Sequence, residues 1–123
     1  MTDEAFQQDI QSVYALADQG MSLDALMDAI GGVLSLHQSA LRDITHSYRL
    51  RSTDTGYQTA FSLTGGHYVR LDAAAVTDVT ILGKEADLQR VFQRKLAPAA
   101  ALLLGKIKLA GSKSALLKLA AFL

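Results

Sequence analysis

The sequence predicts an α+β fold, chiefly because the hydrophobic period changes along the chain. Apolar residues recur with the helical period of about 3.6 residues up to position 41, and with the strand period of about two residues from position 46 to position 81. The helical period returns after Gly83 and is interrupted by one short strand. A length of 123 residues suits a single domain, and half of the residues are hydrophobic, which is enough for a packed core.

Two amphipathic helices are predicted before the first strand. The apolar stripe of the first helix consists of Phe6, Ile10, Val13, Tyr14 and Ala17. Gly20 is placed to end this helix, and Ser22 is placed to cap the next one. Gly31 and Gly32 interrupt the second helix, and each costs about 1 kcal/mol relative to alanine. We therefore expect a kink or close packing at this glycine pair.

Four strands with alternating apolar and polar residues follow, a pattern typical of an antiparallel sheet with one face covered. The residues expected to face the helices are Tyr48, Leu50, Phe61, Leu63, Val69, Leu71, Val79 and Ile81. The residues expected to face solvent are Arg49, Arg51, Arg70 and Asp78. Gly65 and Gly66 suit a tight hairpin turn, because both accept a positive φ. An error of one residue in the register would exchange the two faces.

The last third of the chain predicts a helix, a second helix that starts at a proline, a basic strand and a terminal helix. Pro98 stands where the second of these helices begins, a position at which its missing N–H is not needed. Gly105 is predicted to end that helix with a positive φ, and Gly111 to permit the turn after the strand. Ser112 is placed to cap the terminal helix, which should therefore begin near Lys113.

The terminal helix is apolar around nearly its whole circumference, since Lys118 is its only charged residue. A surface helix normally has a polar face, so three interpretations are open: burial in the core or in a dimer contact, the wall of an apolar cavity, or a frayed tail. The stripe predicted to face the core or a cavity comprises Leu116, Leu119, Ala120 and Leu123. Leu117 and Phe122 lie off this stripe and are the candidates for exposure or for contact with a partner.

Composition and motifs exclude several kinds of chemistry. The chain has no cysteine, which excludes disulfides, thiolate metal sites and cysteine nucleophiles. His37, His46 and His67 lack the spacing of metal ligands, so His37 is expected to pack in the core and His67 to be solvated. No nucleophile elbow, phosphate loop or dinucleotide fingerprint is present. With 12 basic and 12 acidic residues, the chain is not expected to bind nucleic acid. We expect no catalytic set, no metal and no cofactor.

Two features predict a cytoplasmic location. The N-terminus is acidic and polar, unlike a signal peptide. The longest apolar run, residues 97–104, is far shorter than the about 20 residues of a membrane span.

Several segments, in this order, resemble sterol carrier protein type two domains. They are the Asp-Val-Thr-Ile strand at residues 78–81, the Lys-Leu-x-Pro corner at 95–98, the Gly-Lys-Ile-Lys strand at 105–108, and Gly111 with the apolar helix after it. The resemblance runs from about residue 23 to residue 123. It divides the chain into an accessory helix at residues 1–20 and a sterol-carrier-like domain at 21–123. The chain departs from the family pattern at Arg94, where glycine is common.

The resemblance implies a five-stranded mixed, mostly antiparallel sheet covered on one face by helices. A hydrophobic tunnel between sheet and helices would bind and carry, without catalysis, a fatty acyl chain, a sterol-like terpenoid or a quinone precursor. Burial yields about 0.8 kcal/mol per CH₂, so such a tunnel needs few specific residues. The expected ligand contacts are Phe61, Ile81, Phe92, Leu103, Leu104, Ile107, Leu109, Leu116, Leu119, Ala120 and Leu123.

Two other kinds of partner are open. Lys106 and Lys108 lie on one side of a strand, where they could protect a sheet edge or support transient contact with an anionic membrane. The alternative function is a homo-oligomeric or scaffold interaction protein with the same fold and a filled cavity. Numerous alanines between positions 97 and 121 favour it, because small residues allow close packing, and the first helix could then form a homodimer.

Overall fold

A computed structural model describes residues 2–122 of the protein. The elements in chain order are α1 (Thr2–Ala17), α2 (Leu23–Leu36), a 3₁₀ turn (Gln38–Leu41), β1 (Thr45–Ser52), β2 (Gln58–Thr64), β3 (His67–Leu71), β4 (Val79–Gly83), α3 (Glu85–Phe92), α4 (Pro98–Leu103), β5 (Ile107–Gly111) and α5 (Lys113–Ala120). None of these helices combines the length and the hydrophobicity required to cross a bilayer. The predicted α+β fold is confirmed.

The five strands form one mixed sheet in the order β3-β2-β1-β4-β5. The β1–β4 pair is parallel, and the other three pairs are antiparallel. The β2–β3 hairpin lies between β1 and β4 in sequence, so it serves as the crossover that a parallel pair requires. The mixed, mostly antiparallel sheet expected from the resemblance is confirmed.

The core lies between the helices and one face of the sheet. Tyr48, Leu50, Phe61, Leu63, Val79 and Ile81 are all buried there, as predicted. The apolar stripe of α1, at Phe6, Ile10, Val13, Tyr14 and Ala17, is buried in the same core. The first helix therefore packs on the domain with the face that the sequence identified.

The predicted register of β3 is wrong by one residue. Leu63 pairs with Tyr68 and Phe61 pairs with Arg70, so Tyr68 and Arg70 share the inner face, whereas Val69 is 42% exposed. The physical reason is that β3 is an edge strand beneath the polar margin of α2. The ring of Tyr68 lies 5.5 Å from that of Phe61, and Arg70 forms an ion pair with Asp28 of α2. Long amphipathic side chains suit such a margin, because their stems are covered while their polar ends reach water.

Close packing at the glycine pair of α2 is confirmed. A Cβ atom at Gly31 would lie 2.6 Å from the hydroxyl oxygen of Tyr68, a separation that real Cβ atoms do not show. The absence of a side chain at Gly31 therefore lets the β3 edge approach α2.

The predictions for the C-terminal segment are largely confirmed. Gly105 and Gly111 have φ values of 71° and 101°, and Ser112 caps α5 by accepting a hydrogen bond from the Ala115 N–H at 3.2 Å. Leu117 is 40% exposed, as expected for a residue off the apolar stripe. Phe122 instead packs edge-on against Phe6 of α1, with ring centroids 6.4 Å apart, so its contact lies within the chain.

Candidate ligand-binding site

An apolar cleft of about 290 Å³ opens between α5 and the corner that joins α3 to α4. Its lining residues are Val91, Phe92, Arg94, Leu96, Ala97, Pro98, Leu116, Leu119 and Ala120. Every lining residue except Arg94 is apolar. The volume lies just below the range of about 300–1,000 Å³ that is usual for small-molecule sites.

One wall of the cleft is the α3–α4 corner, which reverses the chain over a few residues. The N–H groups of Lys95 and Leu96 both donate to the carbonyl oxygen of Arg90, at 2.8 and 3.2 Å. Arg94 stands at the reversal with a φ of 64°, and it is the one non-glycine residue between positions 2 and 122 with a positive φ. Pro98 then begins α4. The corner thus places Val91 at the end of α3 beside α4.

The opposite wall is α5, which a buried hydrogen bond attaches to the sheet. The hydroxyl of Tyr48 in β1 donates to the carbonyl oxygen of Ala115 at 2.8 Å. Burial raises the pKa of the Tyr48 phenol far above its usual value, and the charge of Asp78 raises it further, so this donor keeps its proton. This hydrogen bond fixes the position of α5 on the sheet, and Leu116 and Leu119 of α5 thereby form the wall of the cleft.

Four of the predicted ligand contacts line this cleft, namely Phe92, Leu116, Leu119 and Ala120. Leu116 and Leu119 are almost fully buried, and Ala120 is half-buried. The structure thus brings together the described part of the α5 stripe and the end of α3. Leu123 lies outside the described residues.

The other predicted contacts lie elsewhere. Ile81 and Ile107 are buried in the core, and Leu109 is half-buried against it. Phe61 borders a separate hollow beneath α2 that has no room for even a water molecule. Among the described residues, the space between sheet and α2 is thus packed rather than open as a tunnel.

Leu103 and Leu104 do not face the cleft, and the expectation that they lie across from α5 is wrong. Their exposed fractions are 89% and 65%. The reason is the brevity of α4, which has six residues and buries only Ala101. A helix of fewer than two turns has room for one inward side chain, so the leucines that follow point outward.

The cleft residues that sequence reasoning missed all belong to the α3–α4 corner: Val91, Arg94, Leu96, Ala97 and Pro98. A corner has no hydrophobic period, so no pattern marked its inner side. One signal was available. Two residues separate the end of α3 from the Lys-Leu-x-Pro motif, and the proline of this motif marks the start of a new helix, so a change of chain direction between the two helices was to be expected.

The histidines are engaged in local contacts. His37 lies 2.6 Å from Asp9 of α1 and packs edge-on against Phe6, and its side chain is 13% exposed, so the expected packing is confirmed. His46 lies 3.5 Å from Asp78. His67 is exposed at the hairpin, as predicted. Within residues 2–122, no three side chains of the metal-ligating types are grouped to hold an ion.

Comparison with known proteins identifies relatives for most of the chain. Residues 34–123 match the SCP-2 sterol transfer family, a match that begins within α2. Among curated protein sequences, none matches the chain.

Solved structures of similar fold include the following three. The UbiJ-SCP2 ubiquinone synthesis protein is 14% identical, with 77% of this chain and 90% of that chain covered and a TM-score of 0.60. Palmitated SCP2L2 from Aedes aegypti is 22% identical, with 82% and 93% covered and a TM-score of 0.60. The inverting sec-alkylsulfatase Pisa1 from Pseudomonas sp. is 20% identical over 78% of this chain, with a TM-score of 0.65, but this chain spans only 16% of its length.

Proposed function

The chain belongs to the SCP-2 sterol transfer family, and we propose that it binds and carries an apolar molecule in the cleft between α5 and the α3–α4 corner. The observation that supports this proposal is the cleft itself. Its lining is apolar apart from Arg94, and its walls are held by a buried hydrogen bond and a tight chain reversal. A well-formed apolar pocket with few polar groups is the usual form of a small-molecule site.

A long hydrocarbon chain is the ligand class that this lining favours. A fatty acyl chain, a sterol-like terpenoid and a quinone precursor all remain candidates. One structure of similar fold is palmitated, and another is a ubiquinone synthesis protein, which supports an acyl or quinone-related ligand. Each methylene buried would contribute about 0.8 kcal/mol.

We propose carriage rather than catalysis. The cleft presents no carboxylate, histidine or hydroxyl side chain among its lining residues. General acid–base and nucleophilic catalysis both require such a group within hydrogen-bond distance of the reacting atom. The proposed role therefore depends on shape and burial. A cytoplasmic location stays a prediction.

The alternative of a dimerising first helix has less support. The apolar stripe of α1 is buried against its own domain, where Phe6 is 1% exposed and Ile10 is fully covered. Polar contacts join α1 to the same domain, including the Lys95–Asp18 ion pair and a hydrogen bond from Gln7 to the carbonyl oxygen of Phe122. The division at residues 20 and 21 stays a prediction.

Transient contact with a membrane also stays a prediction, now with a defined surface. Leu103 and Leu104 are exposed at the end of α4, and Lys106 and Lys108 are exposed just beyond them. Apolar side chains beside basic ones suit the surface of an anionic bilayer.

The proposed function is tested by titration with a fluorescent long-chain fatty acid. We expect saturable binding of one probe per chain, with displacement by unlabelled palmitate, because a cleft of about 290 Å³ is too small for two chains. Extraction of the freshly purified protein, followed by mass spectrometry, serves as the independent check for a lipid that is already bound. Absence of both saturable probe binding and a co-purified lipid would refute the proposal.

A further inference from the structure

Arg94 is the charged residue of an otherwise apolar cleft. Among the residues that the structure describes, the carboxylates in ion pairs are those of Asp9, Asp18, Asp28, Asp78 and Asp87. None of them pairs with Arg94. The neighbouring Lys95, in contrast, pairs with Asp18. Arg94 thus lies exposed at the rim of the cleft, and among residues 2–122 it forms no ion pair with an acidic side chain.

The backbone at Arg94 carries a conformational cost. Its φ of 64° lies in the left-handed region, which costs about 1–2 kcal/mol for a residue with a Cβ atom. Glycine is the usual residue where a helix ends in this conformation, because it has no such cost. Strained backbone conformations are concentrated at active sites and ligand-binding sites. Here the strained residue is also the charged one.

The nearby phenol does not balance this charge. The hydroxyl of Tyr14 is buried and has no hydrogen-bond partner among the described residues. Burial raises the pKa of Tyr14 to about 12, and the charge of Arg94 only partly opposes that rise. The phenol is therefore neutral at physiological pH and does not act as a counter-ion for Arg94.

We propose that Arg94 binds the anionic head of an amphiphile whose hydrocarbon chain lies in the cleft. This inference rests on the proposed function and adds to it the residue that selects an anionic head group, a carboxylate or a phosphate, over a neutral one. The planar guanidinium offers donors in a fork that matches the oxygen atoms of either group. A sterol or a fatty alcohol presents a neutral hydroxyl and gains less from this contact.

The test compares three ligands of equal chain length: palmitate, hexadecyl phosphate and the neutral hexadecanol. Each displaces a neutral fluorescent probe from the wild type, from Arg94→Gln and from Arg94→Gly. In the wild type, at least one of the two anions should bind about tenfold or more tightly than hexadecanol, as expected for a hydrogen bond to a charged group. Which anion does so distinguishes a carboxylate ligand from a phosphate ligand.

Both variants should lose that preference, because the affinity for the preferred anion falls much more than the affinity for hexadecanol. Arg94→Gly should also melt at a higher temperature than Arg94→Gln, because glycine relieves the positive φ. Arg90→Gln, at an exposed site on α3 outside the cleft, removes the same charge and should keep the preference.

Three results would overturn the inference. The wild type could bind all three ligands equally, Arg94→Gln could weaken hexadecanol as much as palmitate, or Arg90→Gln could reduce the preference as much as Arg94→Gln. If the wild type binds none of the ligands, the proposed function itself has failed.

Discussion

Replacement of Gly111 by alanine is expected to destabilise the fold by about 3 kcal/mol or more. A Cβ atom there would lie 2.2 Å from the carbonyl oxygen of Asp78, which belongs to the backbone entering β4. The same oxygen accepts a hydrogen bond from the Ser112 N–H at 2.9 Å, so it cannot move without loss of that bond. The positive φ of 101° adds a second cost.

Gly105→Ala is the matched control for this prediction. Its φ of 71° is also positive, but no heavy atom lies within 4 Å of the place where a Cβ would stand. Only the conformational cost remains, about 1–2 kcal/mol. Urea denaturation of both variants measures the difference, which isolates the contact with Asp78. Equal losses in the two variants would show that the chain relaxes around Gly111 and that the close approach is unimportant.

Ala120→Trp should abolish most ligand binding while the protein stays folded. Ala120 is half-buried at the end of α5 and lines the cleft, so an indole ring there would occupy space meant for the ligand. Displacement of three methylenes would cost the ligand about 2.4 kcal/mol, a loss of about 60-fold in affinity. Thermal unfolding should show no loss of stability, because the ring fills a cleft that is open.

The control for this variant is Ala121→Trp. Ala121 is exposed and does not line the cleft, so the same side chain one residue later should leave probe affinity unchanged. Equal affinities for Ala120→Trp and the wild type would mean that the ligand does not use this cleft.

The sequence predicted the elements whose pattern is set by local chemistry. The alternation of apolar and polar residues placed Tyr48 and Ile81 correctly on the inner face, because β1 and β4 lie in the middle of a sheet covered on one side. Ser112 marked the start of α5, since a hydroxyl at that position accepts a hydrogen bond from the first turn of the helix.

The alternation of apolar and polar residues predicted the wrong inward-facing residues for β3, the strand at the edge of the sheet. In β3, Val69 is the more apolar residue, but Tyr68 is the one that packs inward on Gly31. The helices cover an edge strand only in part. On such a strand, the inner face is occupied by the side chain that can reach a neighbouring helix, even where the adjacent residue is more hydrophobic. The two-residue turn predicted at Gly65–Gly66 already implies that Leu63 pairs with Tyr68, and the error arose because the apolar alternation was followed instead of the turn.

Four of the nine residues that line the cleft were predicted from the sequence, and five were not. The stripe on α5 correctly identified Leu116 and Leu119, because helical spacing shows which residues share a side. The conformation of the corner around Arg94 depends on how α3 and α4 pack together. The hydrophobic period of the sequence carries no information about that packing. The failure at Leu103 has the same origin, since the orientation of so short a helix is decided by its contacts rather than by its sequence.

The location of the ligand is the central claim, and paramagnetic broadening by spin-labelled stearic acid tests it most directly. With the amide signals assigned, we expect broadening at residues 91–97 and 116–120, which line the two walls of the cleft, and little effect on β2 and β3. A reduced, diamagnetic form of the probe gives the reference spectrum. Broadening centred on Phe61 and Tyr68, on the two strands at the far edge of the sheet, would contradict the account.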